Sequence, residues 1–261
     1  MNLLERFKAL LGSKQKKASN FTELSYVGHR NTNQDYATHL FTPQGKLFIV
    51  ADGLGGHQGG ELASRYFSEA FLILAKQNLN KLKKQPEATL ISLAELAAKA
   101  MSDKIMQDYP GIKAHTTCAI CWLSADNKLS TLHIGDTRIY WIAANKLIWR
   151  SRDHSVIQMK VDRGEIHEQQ MGTHPDQGAL TRSIGVGKKI NPSFKTHSNT
   201  LSKGDALLLC TDGFWEHISQ NEIISLAKIK KPEQEMTTWI KTAIGRAQPN
   251  SDNVTTQLFI L

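Results

Sequence analysis

The sequence contains few cysteines and no long apolar run. The three cysteines, Cys118, Cys121 and Cys210, are an odd and sparse set that excludes a disulfide framework. No stretch approaches the roughly 20 apolar residues of a membrane-spanning helix, and the N-terminus lacks the pattern of a signal peptide. The chain has 261 residues, 40% of them hydrophobic. We therefore expect a cytoplasmic protein with one large folded domain.

The formal net charge is +8. The basic residues do not form a face interleaved with aromatic residues in the sequence pattern. Residues 1–17 carry five basic side chains and one acidic one. This segment predicts a basic amphipathic leader and linker over residues 1–18, ahead of a domain over 19–261. A helix packed on its own domain or a free leader is the favoured interpretation. Contact with a membrane or a recruiting partner is the alternative, and no nucleic-acid partner is expected.

Strands come in clusters along the chain and helices come in pairs. Residues 46–51, with the apolar run Leu47-Phe48-Ile49-Val50, and residues 206–211 are typical of buried strands. Closely spaced strands over 115–150 resemble a meander, whereas helical periodicity covers 61–79, 88–108 and 232–246. Regular βαβ alternation is absent from this pattern, so an antiparallel sheet core covered by helix pairs is predicted.

Three predicted strands end in an aspartate beside a glycine. These aspartates are Asp52, Asp136 and Asp212. An aspartate is costly to bury unpaired, and converging carboxylates repel one another unless a cation neutralises them. Because every candidate ligand is a hard oxygen, Mg²⁺ or Mn²⁺ is the expected ion. A single Asp-Gly pair is usually an ordinary turn, so the inference depends on the repeated pattern.

Two further acidic segments match this pattern. Asp35 follows the first strand and lies close to Arg30, whereas Asp252 precedes the last strand. The planar guanidinium of Arg30 suits two phosphate oxygens. The glycine-rich turn after Asp52 lacks the third glycine of a dinucleotide fingerprint, since Gln58 stands there. A phosphohydrolase therefore fits the sequence better than a dinucleotide-binding protein.

The motifs together resemble the metal-dependent protein phosphatase family, type 2C, in its compact bacterial form. The matching segments follow in the family's order: Arg30 with Asn33-Gln34-Asp35, Val50-Ala51-Asp52-Gly53-Leu54-Gly55-Gly56-His57, Gly60-Glu61, His115-Thr116-Thr117, Gly135-Asp136-Thr137-Arg138-Ile139-Tyr140, Asp153-His154-Ser155, Leu180-Thr181-Arg182-Ser183-Ile184-Gly185, Thr211-Asp212-Gly213 and Asp252-Asn253-Val254-Thr255. They span nearly the whole chain after residue 22. The resemblance implies an α+β fold, in which two antiparallel β-sheets form a sandwich flanked by pairs of α-helices (four layers, αββα).

The resemblance also implies roles for individual residues. Asp52 bridges two metal ions with the Gly53 carbonyl beside it, and Asp212 and Asp252 bind the first metal. Asp35 acts on the second metal largely through water, and Asp136 binds a third, weaker metal. Arg30 holds the substrate phosphate, and His57 is the general acid. Gln34 departs from the glutamate that the family often has, which removes one charge from the second-metal shell. Residues 155–178 correspond to a flap near the metal cleft.

The implied activity is hydrolysis of phosphoserine and phosphothreonine in proteins by a water activated between two Mn²⁺ or Mg²⁺ ions. The expected partners are a phosphorylated protein substrate and a cognate bacterial Ser/Thr kinase pathway, and the chain is expected to be a monomer. The alternative is a non-catalytic phosphoprotein-binding regulatory module on the same fold. No cysteine nucleophile is needed, because Cys118 and Cys121 are predicted to point to opposite faces of one strand.

Overall fold

The computed structural model describes residues 20–54, 59–143 and 145–261. Its strands are β1 (Phe21–Tyr26), β2 (Asp35–Thr42), β3 (Gly45–Leu54), β4 (His115–Thr116), β5 (Cys118–Ser124), β6 (Lys128–Ile134), β7 (Arg138–Ala143), β8 (Lys146–Arg150), β9 (Ile184–Gly185), β10 (Ser193–Thr200), β11 (Ala206–Cys210) and β12 (Val254–Ile260). Its α-helices are α1 (Gly60–Gln77), α2 (Leu79–Lys84), α3 (Pro86–Asp108), α4 (Val156–Asp162), α5 (Asp212–Trp215), α6 (Gln220–Ser225) and α7 (Pro232–Arg246). Short 3₁₀ helices lie at Glu168–Thr173 and Leu226–Lys228.

The strands form two antiparallel sheets. The five-stranded sheet has the order β1-β12-β11-β7-β8. The seven-stranded sheet has the order β10-β6-β5-β3-β4-β9, and β2 pairs with β3 on its other side. Each strand pairing in both sheets is antiparallel. This arrangement confirms the predicted two-sheet sandwich.

The central strands are apolar on both faces because each sheet lies between two layers. In β3, Leu47 and Ile49 pack beneath helices α1 and α3, whereas Phe48 and Val50 face the other sheet. In β11, Leu208 packs towards α6 and α7, and its neighbours along the strand face the inter-sheet core. The continuous apolar runs of the sequence are the consequence of this double burial. The layer order is therefore helices, sheet, sheet, helices.

The cysteines are buried and unpaired. Cys118 packs in the helix-facing core and Cys121 in the inter-sheet core, so their side chains point to opposite faces of β5 as predicted. All three cysteines are free thiols. Burial raises the pKa of each thiol far above its usual range, so none of them is a reactive thiolate near neutral pH. They contribute to packing.

Several elements differ from the sequence-based expectation. Strand β10 was not predicted because its eight residues are mostly polar and only His197 is buried. Helix α2 ends at Lys84 and α3 begins at Pro86, because a proline lacking an N–H is tolerated in the first turn of a helix. The predicted leader helix lies outside the described residues, so the boundary between residues 18 and 19 stays a prediction. Within the described ranges, no helix is long and apolar enough to cross a membrane.

Candidate metal centre

Two of the predicted ligands face each other across one strand pair. Asp35 at the start of β2 is the register partner of Asp52 near the end of β3. Directly opposed residues of an antiparallel pair have Cβ atoms about 5 Å apart, and like charges there are destabilising. Thr117 fixes the backbone of Asp52, because its hydroxyl accepts from the Asp52 N–H at 3.0 Å and its N–H donates to the Asp52 carbonyl at 2.8 Å. The pair is therefore held in place despite its repulsion.

The other sheet contributes Asp212 and Asp252. Asp212 begins α5 directly after β11, and Asp252 precedes β12, the neighbour of β11. The two segments touch closely, since a Cβ on Gly213 would lie 2.2 Å from the carbonyl oxygen of Asn253. The Thr211 hydroxyl donates to Asp35 Oδ2 at 2.9 Å and so joins this sheet to the first. The carboxyls of both sheets therefore lie close to one another, and we call this group, Asp35, Asp52, Asp212 and Asp252, the acidic seam.

Asp136 lies in the turn between β6 and β7. The preceding Gly135 has a φ of 96°, a left-handed conformation that favours glycine. A Cβ at this position would lie 2.5 Å from the Thr117 methyl carbon, so the glycine also permits close approach. The turn brings the Asp136 carboxyl within electrostatic reach of Asp52 and Asp212.

Burial and mutual repulsion disfavour ionisation of these carboxyls. Burial first, and then Asp212, raises the pKa of Asp35 to about 8. Burial together with Asp212 and Asp35 raises the pKa of Asp52 well above its usual value. The pKa of Asp136 is raised by burial and by Asp212. Burial and Asp252 raise the pKa of Asp212 to about 6. The cluster therefore takes up protons unless a cation compensates its charge.

Glu216 is a further acidic group that the sequence analysis missed. Burial, followed by the charges of Asp212 and Asp136, raises the pKa of Glu216 to about 9. Glu216 lies four positions after Asp212, which places both on one face of a helical turn. This spacing was visible in the sequence. Glu216 also lines a cavity of about 900 Å³ between the predicted flap and the segment that follows α5.

Arg30 lies at the mouth of the cluster. Its Nη2 donates to Asp252 Oδ2 at 2.8 Å, and 58% of its side chain is exposed. Asn253 holds the loop that carries Arg30, because its Oδ1 accepts from the Gln34 N–H at 2.8 Å and its Nδ2 donates to the carbonyls of Val27 and Thr32. In the sequence, Asn253 was recognisable only as part of the motif Asp252-Asn253-Val254-Thr255, without this role.

The donor set fits a hard divalent cation. The clustered ligands are carboxylate oxygens, and the charge that raises their pKa values is the charge that a cation neutralises. Gly53 beside Asp52 is packed closely, since a Cβ there would lie 2.1 Å from the Gly60 carbonyl oxygen and no larger residue would be accommodated. Within the described ranges, no three His, Cys, Asp or Glu side chains form a group that could hold an ion as they stand.

His57 lies outside the described residues, so its role as general acid stays a prediction. Gln34, the departure from the family pattern, donates through Nε2 to Glu61 at 3.3 Å near the start of α1. Arg150 of β8 contacts Glu168 at 2.7 Å and so holds the flap segment, whereas the contact of Lys160 with Asp176 at 2.5 Å lies within the segment.

Comparison with known proteins identifies the family. A family model described as protein phosphatase 2C matches residues 27–251. The chain belongs to this family. Protein phosphatase PhpP of Streptococcus pneumoniae is 29% identical over 241 residues, which cover 90% of this chain and 94% of the relative. Serine/threonine protein phosphatase PstP of Mycobacterium tuberculosis is 28% identical over 213 residues, 80% of this chain. The match spans only 39% of the length of PstP.

Solved structures of phosphatase 2C proteins share the fold. The crystal structure of the Mycobacterium tuberculosis serine/threonine phosphatase PstP/Ppp superimposes with a TM-score of 0.78 at 26% identity, covering 92% of this chain and 97% of that chain. A structure of the PstP catalytic domain in complex with two manganese ions has a TM-score of 0.75 at 25% identity, with 92% and 96% coverage. The sandwich and its helix layers are those of this family.

Proposed function

We propose that this phosphatase 2C protein hydrolyses phosphoserine and phosphothreonine in proteins with the help of two Mn²⁺ or Mg²⁺ ions, and that it opposes a Ser/Thr kinase. One observation carries the proposal: Asp35 and Asp52 are opposed in one sheet and joined through Thr211 to the Asp212 segment of the other. Arg30 lies at the mouth of this acidic seam. The PstP structure with two manganese ions supports the same metal requirement.

The proposed ligands have distinct places in the seam. Asp52, with the Gly53 carbonyl beside it, would contribute to both ion sites, and Asp212 and Asp252 would hold one ion from the five-stranded sheet. Asp35 would act on the second ion, largely through water. When bound, the ions supply Lewis-acid polarisation of the phosphate and of the attacking water. A third, weaker ion at Asp136 is part of the proposal.

The chain itself binds and orients the phosphate. The exposed guanidinium of Arg30 presents a planar set of N–H donors that a phosphate can reach, while the loop beneath it is fixed by Asn253. Donors held in advance at the position of the transferring group stabilise the charge on its equatorial oxygens. His57 is proposed to protonate the departing serine or threonine oxygen.

The test is hydrolysis of a phosphothreonine peptide by the purified chain. We expect Mn²⁺-dependent activity that chelator abolishes and that falls to background in Asp52→Asn and Asp212→Asn. Asp103→Asn is the matched control, because it removes one carboxylate from the exposed face of α3 and should retain full activity. Full activity in either active-site variant would refute the two-metal assignment.

The same experiment distinguishes the non-catalytic alternative. A phosphoprotein-binding module would bind the phosphothreonine peptide without hydrolysing it and would show no Mn²⁺ binding by calorimetry. The enzyme proposal instead requires both turnover and binding of Mn²⁺ that is weakened in Asp212→Asn. Deleting residues 1–18 should leave peptide hydrolysis intact, since the predicted leader precedes the acidic seam.

A further inference from the structure

The turn that carries Asp136 is held by side chains from two other parts of the chain. The Gly135 N–H donates to His154 Nδ1 at 3.2 Å, and the His154 N–H donates to the Gly135 carbonyl at 2.9 Å. On the other side, Trp215 Nε1 donates to the Asp136 carbonyl oxygen at 3.0 Å. The backbone on both sides of the Asp136 side chain is therefore fixed by hydrogen bonds in a buried setting.

The Trp215 ring is itself clamped. The Arg138 guanidinium carbon lies 3.3 Å from the centre of the Trp215 ring. Arg138 is 5% exposed and donates to both carboxylate oxygens of Asp153 at 2.6 to 3.1 Å. Its Nη2 also contacts Met171 Sδ at 3.5 Å, in the predicted flap. A desolvated, bidentate guanidinium stacked on an indole leaves the ring little freedom to move.

Trp215 also belongs to the element that carries another ligand. It is the last residue of α5, the single helical turn that begins at Asp212. One side chain thus joins the helix that presents Asp212 to the turn that presents Asp136. These two carboxyls come from different parts of the chain, and their relative position depends on a contact between α5 and the β6–β7 turn.

We propose that Trp215 is a positioning residue for the cation site at Asp136, acting through its indole N–H on the Asp136 backbone. It touches neither the ion nor the substrate. This inference rests on the proposed function, because it requires Asp136 to be a cation ligand. Groups that orient metal ligands from behind typically change metal affinity by about 10- to 100-fold when they are removed.

The experiment compares Mn²⁺ binding by wild type, Trp215→Phe and Asp136→Asn, with free Mn²⁺ counted by electron paramagnetic resonance. The binding event lost in Asp136→Asn defines the site. We expect Trp215→Phe to weaken this event about tenfold or more and to leave the other binding events unchanged. A second variant carries 3-benzothienylalanine at position 215, which keeps the bicyclic shape and lacks the N–H, and it should reproduce the weakening.

The control is Trp141→Phe. Trp141 is 4% exposed and its Nε1 donates to Asp205 at 3.0 Å, whereas Trp215 is 6% exposed with a bond of the same length. Both substitutions remove a buried indole hydrogen bond, but only that of Trp215 reaches the Asp136 turn. Trp141→Phe should therefore lower the melting temperature without changing Mn²⁺ binding.

Three results would overturn the inference. One is unchanged Mn²⁺ affinity in Trp215→Phe or in the benzothienyl variant. Another is equal weakening in Trp141→Phe, which would mean a general loss of structure. The last is identical binding by wild type and Asp136→Asn. Failure of the proposed function gives a different result, because wild type would then bind no Mn²⁺ and hydrolyse no phosphopeptide. If only the inference about Trp215 is wrong, wild type still binds Mn²⁺ and hydrolyses the phosphopeptide.

Discussion

Replacing Asp212 by asparagine should stabilise the metal-free protein, although it removes a proposed ligand. The neutral amide keeps an oxygen that can accept from the Gly213 N–H, a bond of 2.7 Å in the structure. What it removes is a carboxyl whose pKa is raised from 3.8 to about 6 by burial and by Asp252. Asp212 also raises the pKa values of Asp35 and Asp52, so its removal lowers the cost of ionising both.

The magnitude follows from proton linkage. The folded state holds the Asp212 proton more tightly than the unfolded state, so the free energy of unfolding falls as pH rises from about 4 through about 6. Between 3.8 and about 6, at about 1.4 kcal/mol per pKa unit, the full cost is about 3 kcal/mol. Solvent screening of this half-buried carboxyl reduces the energetic cost to about 2 kcal/mol. The melting temperature of Asp212→Asn should then rise by about 4 to 8 °C at pH 8.

The assay is urea unfolding in chelator at pH 8 and at pH 4. The stabilisation should be present at pH 8 and smaller than about 1 kcal/mol at pH 4, where the folded state holds the proton and the unfolded state, with a pKa of 3.8, is only partly ionised. Asp103→Asn is the control, since it removes the same charge from an exposed site. Adding Mn²⁺ at pH 8 should reverse the order, because only wild type keeps the full ligand set and gains the free energy of binding.

The electrostatic account would be refuted by equal or lower stability of Asp212→Asn in chelator at pH 8. It would also be refuted by a gain that does not depend on pH, since that would point to packing. A similar gain in Asp103→Asn would point to net charge.

Three further substitutions test the site, and a fourth, Gly245→Ala, is a control. Gly53→Ala should lose about 1 to 3 kcal/mol of stability, because its Cβ would meet the Gly60 carbonyl oxygen at 2.1 Å. Gly245→Ala has open space around its Cβ and should gain up to about 1 kcal/mol. Urea unfolding measures both changes. Asn253→Ala removes three hydrogen bonds to loop 27–34 at about 1 kcal/mol each and should raise the KM for a phosphopeptide; unchanged KM and stability would contradict its role. Arg30→Lys should raise the KM for a phosphopeptide about tenfold or more, because the planar guanidinium is lost. Its Mn²⁺ affinity, measured by calorimetry, should be unchanged, and an unchanged KM with weakened Mn²⁺ binding would contradict this role.

The sequence predicted the fold wherever burial imposes a pattern. The closely spaced strands predicted over 115–150 are present as β4 to β8. The apolar runs that end at Asp52 and Asp212 were recognised because strands buried on both faces leave no polar position. Strand β10 escaped prediction, because an edge strand with one face in solvent needs few apolar residues.

The candidate site was predictable as a set of residues but not as an arrangement. The Asp-Gly repeats and the family resemblance indicated the five aspartates, and the register of β2 with β3 then placed Asp35 opposite Asp52. Trp215 gave no sign in the sequence, because its contact with Asp136 joins residues 79 positions apart. Glu216 could have been recognised by its spacing from Asp212. Long-range contacts of single side chains leave no periodic pattern to detect.

The seam between the sheets has a mechanical consequence. The carboxylates come from both halves of the sandwich, with Asp35 and Asp52 on one sheet and Asp212 and Asp252 beside two strands of the other. Elsewhere the halves adhere through non-directional apolar contacts such as those around Phe48 and Phe259. Under the proposed metal assignment, an ion held by both sets would add a directional cross-link between the two sheets. Binding of that ion would then also increase the free energy needed to separate the two halves of the sandwich.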